Sequence, residues 1–372
     1  MSTQPEIVTS LPIKLFKSLI YVRFMSKNIA YMIRYSHMSP IIKEKAPAIL
    51  AEVKKAKSIL LCCHPSPDPD SVGSCLAMKF ALESLGKKAT VIKGDSDIPE
   101  AFMHFPGADQ IVKKNFFEID LAEFDLFIVQ DVNALDRISL IAPVIIPSTM
   151  DLVMIDHHQP KPIITDVSLV ESTYPATCQI LYDLFSEWGI TIDANIASNL
   201  FIGLYTDTGG FKYLGCTAYT YEIASKLVKL IPDFSQLIAR MENTELPASI
   251  AFLGKAYSSV QTFLGGHLAL SSISYDELHS MGIKDIGMRV SGISSKLRVV
   301  ADWYVVGALT EIEPGKVKCS FRSKDSVKYD VSILSQAFGG GGHKSAAGVM
   351  ISGSLLDVQK KIVAKAKELY NL

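Results

Sequence analysis

Charge of one dominant sign is missing from this chain of 372 residues: 37 Lys and Arg stand against 38 Asp and Glu, for a formal net charge of −1. Such a balance sets up no long-range field for long nucleic acid or an anionic membrane, so any polyanion must be held in a local groove. A cysteine framework is missing too. The six cysteines, Cys62, Cys63, Cys75, Cys178, Cys216 and Cys319, form no C-x-x-C pair. They read as reduced core thiols of a cytoplasmic protein, not as a disulfide scaffold or a zinc site. No uninterrupted apolar run reaches the ~20 residues of a bilayer span. The stretch from Leu11 to Met25 is broken by Lys14, Lys17 and Arg23, and it lacks the apolar centre of a secretory signal. There is no internal repeat and no low-complexity tract. What remains is an ordinary globular composition, 48% hydrophobic and 20% charged, long enough for two domains with their own cores.

Residues 1–37 stand apart as an N-terminal extension, expected to be disordered. Their Lys14, Lys17, Arg23, Lys27 and Arg34 face only Glu6. A transit peptide or a membrane-surface helix has the same bias. From Met38 the chain reads as a domain beginning, with a helix over Lys43–Ala56.

The chain is organised around His64-Pro65-Ser66-Pro67-Asp68-Pro69-Asp70. An apolar run, Ser58–Cys63, precedes it with the length of a buried strand. The prolines forbid helix through the turn and deny ladder donors, and a helical pattern starts near Ser71 and stops at Gly86. Strand, polar loop and helix then place one imidazole and two carboxylates at the carboxyl end of a strand, where open α/β sheets bind ligands. Carboxylate and imidazole suit hard or borderline divalent cations such as manganese.

Further strands are expected at Ala89–Ile92, at Asp125–Gln130 ending on Asp131, and at Asp151–Ile155 ending on Asp156-His157-His158. Helices are expected at Pro175–Trp188 and at Ala194–Tyr205, the second running into Thr206-Asp207-Thr208-Gly209. Strands alternating with helices imply a mostly parallel sheet. A helical stretch, 217–262, reads as a connector, and 263–372 as a smaller mixed-sheet domain. The expected fold is therefore α/β, with two lobes around a cleft. Near the end lies Gly339-Gly340-Gly341-Gly342-His343-Lys344-Ser345-Ala346-Ala347-Gly348.

Taken singly, each polar residue has a bland reading. Asp68 and Asp70 suit a turn and a helix cap, Asp131 and Asp156 simply end strands, Asp207 suits a helix-end turn, and His158 a core histidine. Thr177 and Asn133 carry no signal. Their joint order is different. H-x-x-x-D-x-D, Asp131 with downstream Arg137, Asp156-His157-His158 and Thr206-Asp207-Thr208-Gly209 resemble, in sequence order, the motifs of the DHH phosphoesterase superfamily. The G-G-G-H-x-x-A-A-G stretch resembles the DHH-associated C-terminal domain, and Ser320–Lys324 with the glycine run resembles the bacterial bifunctional oligoribonuclease and pAp phosphatases (nanoRNases). The likeness spans about Ala46 to the C-terminus and makes 38–216 a DHH catalytic domain and 263–372 a substrate-binding domain.

The resemblance implies two divalent cations, Mn2+ first and Mg2+ or Co2+ as alternatives. It assigns His64 and Asp68 to one, Asp70, His157 and Asp207 to the other, and Asp131 to both. Water deprotonated between the ions would attack phosphorus. Asp156 would orient a histidine, and His158 would face the substrate. Arg137 reads equally well as a substrate contact or a solvated arginine. Bare glycine amides can approach an anion closely, and an arginine fork suits phosphate. Arg322, the amides of Gly340, Gly341 and Gly342, and His343 are therefore expected to hold the phosphate end of a short nucleotide. The implied substrates are short oligoribonucleotides and the bisphosphate 3′-phosphoadenosine 5′-phosphate (pAp), handled by a homodimer. Cyclic or linear dinucleotides, longer single strands cleaved in the RecJ manner, and a non-catalytic nucleotide or RNA sensor are the competing readings.

Overall fold

The computed structural model describes residues 38–372 except 133, 159–164, 166, 214, 244–246 and 283–286, and of 287–291 the backbone alone. The expected extension, 1–37, and Asn133 lie outside the described residues. The chain divides after Asn243 into two compact units.

The first unit runs α1 (Pro40–Lys55), β1 (Ser58–Cys62), α2 (Pro69–Ser84), β2 (Lys88–Ile92), β3 (Leu126–Gln130), β4 (Asp151–Asp156), β5 (Val167–Val170), α3 (Thr177–Glu187), α4 (Ala194–Asp207), α5 (Ala218–Val228) and α6 (Phe234–Glu242). Its five strands lie in the order β2-β1-β3-β4-β5, and every pairing is parallel. The strands are continuous apolar runs because both faces are covered. Ile59, Leu61 and Ile128 face one core, built with α1–α5, while Leu60, Phe127 and Val129 face a second. From β1 the chain moves to β2 on one side and then back to β3 on the other. The switch point thus falls between the carboxyl ends of β1 and β3, which lead into His64 and Asp131.

The second unit runs α7 (Pro247–Ser258), β6 (Gln261–Phe263), β7 (Leu268–Ile273), α8 (Tyr275–Ser280), α9 (Gly287–Leu297), β8 (Val305–Glu313), β9 (Lys316–Ser323), α10 (Val331–Gln336), β10 (Gly341–His343), β11 (Ala346–Ser352) and α11 (Leu355–Tyr370). Its six-stranded sheet has the order β10-β11-β9-β8-β7-β6. Of its pairings among the described residues, only β7–β8 is parallel, so the mixed sheet matches the expectation.

Two expectations change. The stretch 217–262 does not stand apart as a connector: Ile223 and Leu227 of α5 are buried in the first unit's core, and Phe252 and Ala256 of α7 in the second's. The cysteines are all free, but Cys216 is half-buried while the other five are buried. Among the described residues, no helix is long and apolar enough to cross a membrane.

Candidate metal centre and phosphate-binding face

The first loop holds its residues by its own backbone demands. Asp68 caps α2, its Oδ1 accepting from the Ser71 amide at 2.9 Å. Its other oxygen, Oδ2, lies 3.3 Å from His64 Nε2. The cap and the ligand reading therefore coexist, one oxygen each. Burial raises the Asp68 carboxyl, but His64 and the Ser71 amide outweigh it and hold the group below its ordinary range.

Asp70 lies in the first turn of α2 and is fully buried. Its Oδ2 accepts from the Thr177 amide at 2.7 Å and its Oδ1 from the Cys178 amide at 3.1 Å. These are first-turn amides of α3, so the helix N-terminus grips the carboxylate. Such closeness needs Gly203 on α4, where a Cβ would sit 2.4 Å from Asp70 Oδ1.

Asp131 follows β3 with φ +60°, a left-handed conformation that Asp tolerates better than most residues. Its amide donates to the Ile155 carbonyl at 3.0 Å. This backbone kink lets its two oxygens look in different directions. Oδ2 lies 3.7 Å from His64 Nε2, and Oδ1 lies 3.5 Å from His157 Nε2. Oδ1 also accepts from the Thr177 hydroxyl at 3.1 Å. Thr177 thus touches two acidic residues at once, Asp70 through its amide and Asp131 through its side chain. The sequence carried no sign of this role.

His157 presents Nε2 to Asp207 Oδ2 at 3.3 Å, while its Nδ1 lies 3.4 Å from the Tyr174 carbonyl. A backbone acceptor at Nδ1 suits the tautomer that offers Nε2 to a cation. His158 differs. Its Nδ1 lies 2.8 Å from Asp156 Oδ1, its side chain is 52% exposed against 14% for His157, and the two rings sit 4.4 Å apart. The bond to Asp156 raises the His158 pKa.

Among the described residues, three groups of side chains bring ligand atoms within 4.8 Å of one another: His64 with Asp68 and Asp131, Asp70 with His157 and Asp207, and Asp131 with His157 and His158. Their electrostatics ask for positive charge. Burial and then the Asp70 and Asp68 charges push Asp131 well above the usual carboxylate range. Burial, with Asp70 and Asp131, pushes Asp207 up to about 9. Carboxylates this crowded ionise together only beside cations. Oxygen and imidazole donors without a thiolate fit hard or borderline divalent ions. All eight residues expected at the centre are therefore brought together; Arg137 stays exposed in a short turn after it.

In the second unit, Ala346 of β11 pairs with Arg322 of β9 on one side and His343 of β10 on the other. Directly opposed residues share a face, so Arg322 and His343 flank Ala346. The next row is Ser320, Gly348 and Gly341, followed by Lys318 and Met350. A hollow of about 410 Å³ is lined by Lys318, Ser320, Arg322 and Gly348. Arg322 donates through Nη1 to the Phe321 carbonyl at 2.9 Å. The expected amide cradle needs correcting at Gly340, whose amide donates to the Ser335 carbonyl at 3.0 Å. Its bareness serves packing, since a Cβ there would meet Ser335 Oγ and the Gly348 carbonyl at 2.4 Å. Gly341 instead floors the open sheet face.

Comparison with known proteins finds two family domains in the chain. The DHH family N-terminal domain matches residues 58–204, and the DHHA1 domain matches residues 283–371. The chain is 28% identical over 320 residues to the bifunctional oligoribonuclease and PAP phosphatase NrnA of Thermus thermophilus, covering 86% of this chain and 92% of that protein. It is 27% identical to the probable enzyme of that name from Streptococcus mutans, over 81% and 91% of the two chains. An exopolyphosphatase-related protein from Bacteroides fragilis shares the fold, with a TM-score of 0.78, 24% identity, and coverage of 89% and 98%. The chain belongs to the DHH family of phosphoesterases, in the form that carries a DHHA1 domain.

Proposed function

We propose that this enzyme hydrolyses short oligoribonucleotides and the 3′-phosphate of pAp, using two divalent cations with Mn2+ preferred. The observation that carries the reading is Asp131, whose two oxygens face two separate donor groups. His64 and Asp68 would complete one site, and Asp70, His157 and Asp207 the other. When bound, the two cations supply Lewis-acid charge that acidifies water and offsets charge on phosphoryl oxygens.

The chain's own residues do the rest. Thr177 and the amides of α3 hold Asp70 and Asp131 in place, and the Tyr174 carbonyl orients the His157 ring at Nδ1. During hydrolysis a water oxygen bonds to phosphorus, its proton passing to solvent, from which His158 is later reprotonated, and the ester P–O bond breaks. The leaving oxygen takes a proton from His158 Nε2, and Asp156 stabilises the imidazolium through Nδ1. On the second unit, Arg322 and His343, with Lys318 beside them, form a face that would bind a substrate phosphate.

The test is hydrolysis by purified protein with Mn2+, Mg2+ or chelator, comparing pAp, a two-residue RNA, a cyclic dinucleotide and a long single strand. Mn2+-dependent turnover of pAp and the short RNA above the others is expected. Preference for the long strand or the cyclic dinucleotide would overturn the substrate assignment, and absence of any turnover would favour a sensor.

A further inference from the structure

Directly after the metal-binding end of α4, the chain makes a loop that the chemistry above leaves unused. Gly209, Gly210 and Phe211 have φ of +60°, +68° and +63°. For a bulky aromatic such as Phe211 this is a strained conformation, tolerated only where its surroundings impose it. Here they do. The Phe211 amide donates to Thr208 Oγ1 at 3.0 Å, and the Lys212 and Tyr213 amides donate to the Thr208 carbonyl at 2.9 and 3.0 Å. The Tyr221 hydroxyl donates to the Phe211 carbonyl at 2.9 Å, and the Phe211 ring lies 5.3 Å from that of Tyr221 and 5.9 Å from that of Tyr205.

The product of this over-determined turn is the presentation of Lys212 and Tyr213, both exposed, the tyrosine by 56%. A Cβ on Gly209 would fall 2.4, 2.6 and 2.7 Å from Tyr213 Cζ, Cε1 and Cε2. Those near-equal distances mean an approach to the ring's face. Gly209, two residues beyond Asp207 in the chain, is therefore a seat for one face of the ring, and the exposed remainder is open to solvent. An exposed ring fixed by backbone on one side offers a stacking surface at little ordering cost, and every base has a face to stack on it.

We propose that Tyr213 stacks on the nucleobase of the nucleotide whose phosphate is cleaved, with Lys212 meeting its backbone charge. This rests on the nucleotide reading above and extends it to base recognition. The test compares kcat/KM for pAp with that for its baseless counterpart, ribose 3′,5′-bisphosphate, in the wild type and in Tyr213→Leu, Tyr213→Phe and Gly209→Ala. Taking the ratio within each protein cancels any loss of folded enzyme. The wild type should prefer pAp. Tyr213→Leu and Gly209→Ala should shrink that preference, the first on the order of tenfold from lost stacking, and Tyr213→Phe should keep it. An undiminished preference in Tyr213→Leu would overturn the stacking role alone. A wild type that cleaves neither compound would overturn the nucleotide reading and this one with it.

Discussion

His158 Nδ1 lies 2.8 Å from Asp156 Oδ1, and that contact separates the two adjacent histidines by task. Asp156 is fully buried, so the bond fixes the ring, and in the proposed mechanism its other nitrogen serves the substrate. Replacing His158 with Asn should lower kcat by about 10²–10⁴-fold, the usual worth of a positioned proton donor. Mn2+ binding, followed by calorimetry, should change little. A kcat within threefold of wild type would remove His158 from proton transfer.

Thr177 is the least anticipated residue of the centre. Thr177→Val keeps shape and the amide bond to Asp70 but deletes the hydroxyl bond to Asp131. Loss of an outer contact of this kind costs roughly 10–100-fold in metal affinity. Thr177→Ser should restore most of it. Equal Mn2+ affinities for the valine variant and the wild type would assign the threonine to packing.

Arg322→Ala should raise KM for pAp about tenfold or more, the scale of a charged hydrogen bond to phosphate. Arg322→Lys should recover only part, because the fork geometry is lost. Since Arg322 belongs to the second unit, Mn2+ affinity measured without substrate should stay at the wild-type value. A fall in that affinity would contradict its role as a phosphate ligand.

Asp183 gives a pH dependence of stability away from the metal ligands. It is buried, accepts from the hydroxyls of Tyr174 and Tyr219, and burial pushes its pKa from 3.8 up to about 6. The native state therefore holds a proton that the unfolded state has released between those values. Its contribution is full below the unfolded pKa and is lost as pH rises through the folded one, by about 3 kcal/mol in all. Asp183→Asn should thus gain stability relative to wild type between pH 4 and pH 7, measured by urea unfolding of both. A constant difference across that range would rule the group out as the cause.

Most of the centre was legible because its strands are continuous apolar runs stopped by charge. Such a pattern at β1, β3 and β4 locates a polar edge before any tertiary contact is known. Thr177 was not legible, because its contacts are with Asp70 and Asp131, 107 and 46 residues away. The glycine run was misread in part for a related reason. Glycines carry no side-chain alternation, so β10 gave no strand signal and Gly340 was taken for an anion ligand. Helical periodicity over 217–262 could not reveal that α5 and α7 bury their faces in different cores.

The position of Asp131 between two donor groups is best probed by counting ions. Asp131→Asn is the right variant, because Asn also tolerates the left-handed backbone at this site. Mn2+ titration of the wild type should give two ions per chain. The variant should bind fewer or weaker ions, with turnover of pAp reduced by several orders of magnitude. One ion per wild-type chain, or wild-type turnover in Asp131→Asn, would contradict the shared carboxylate.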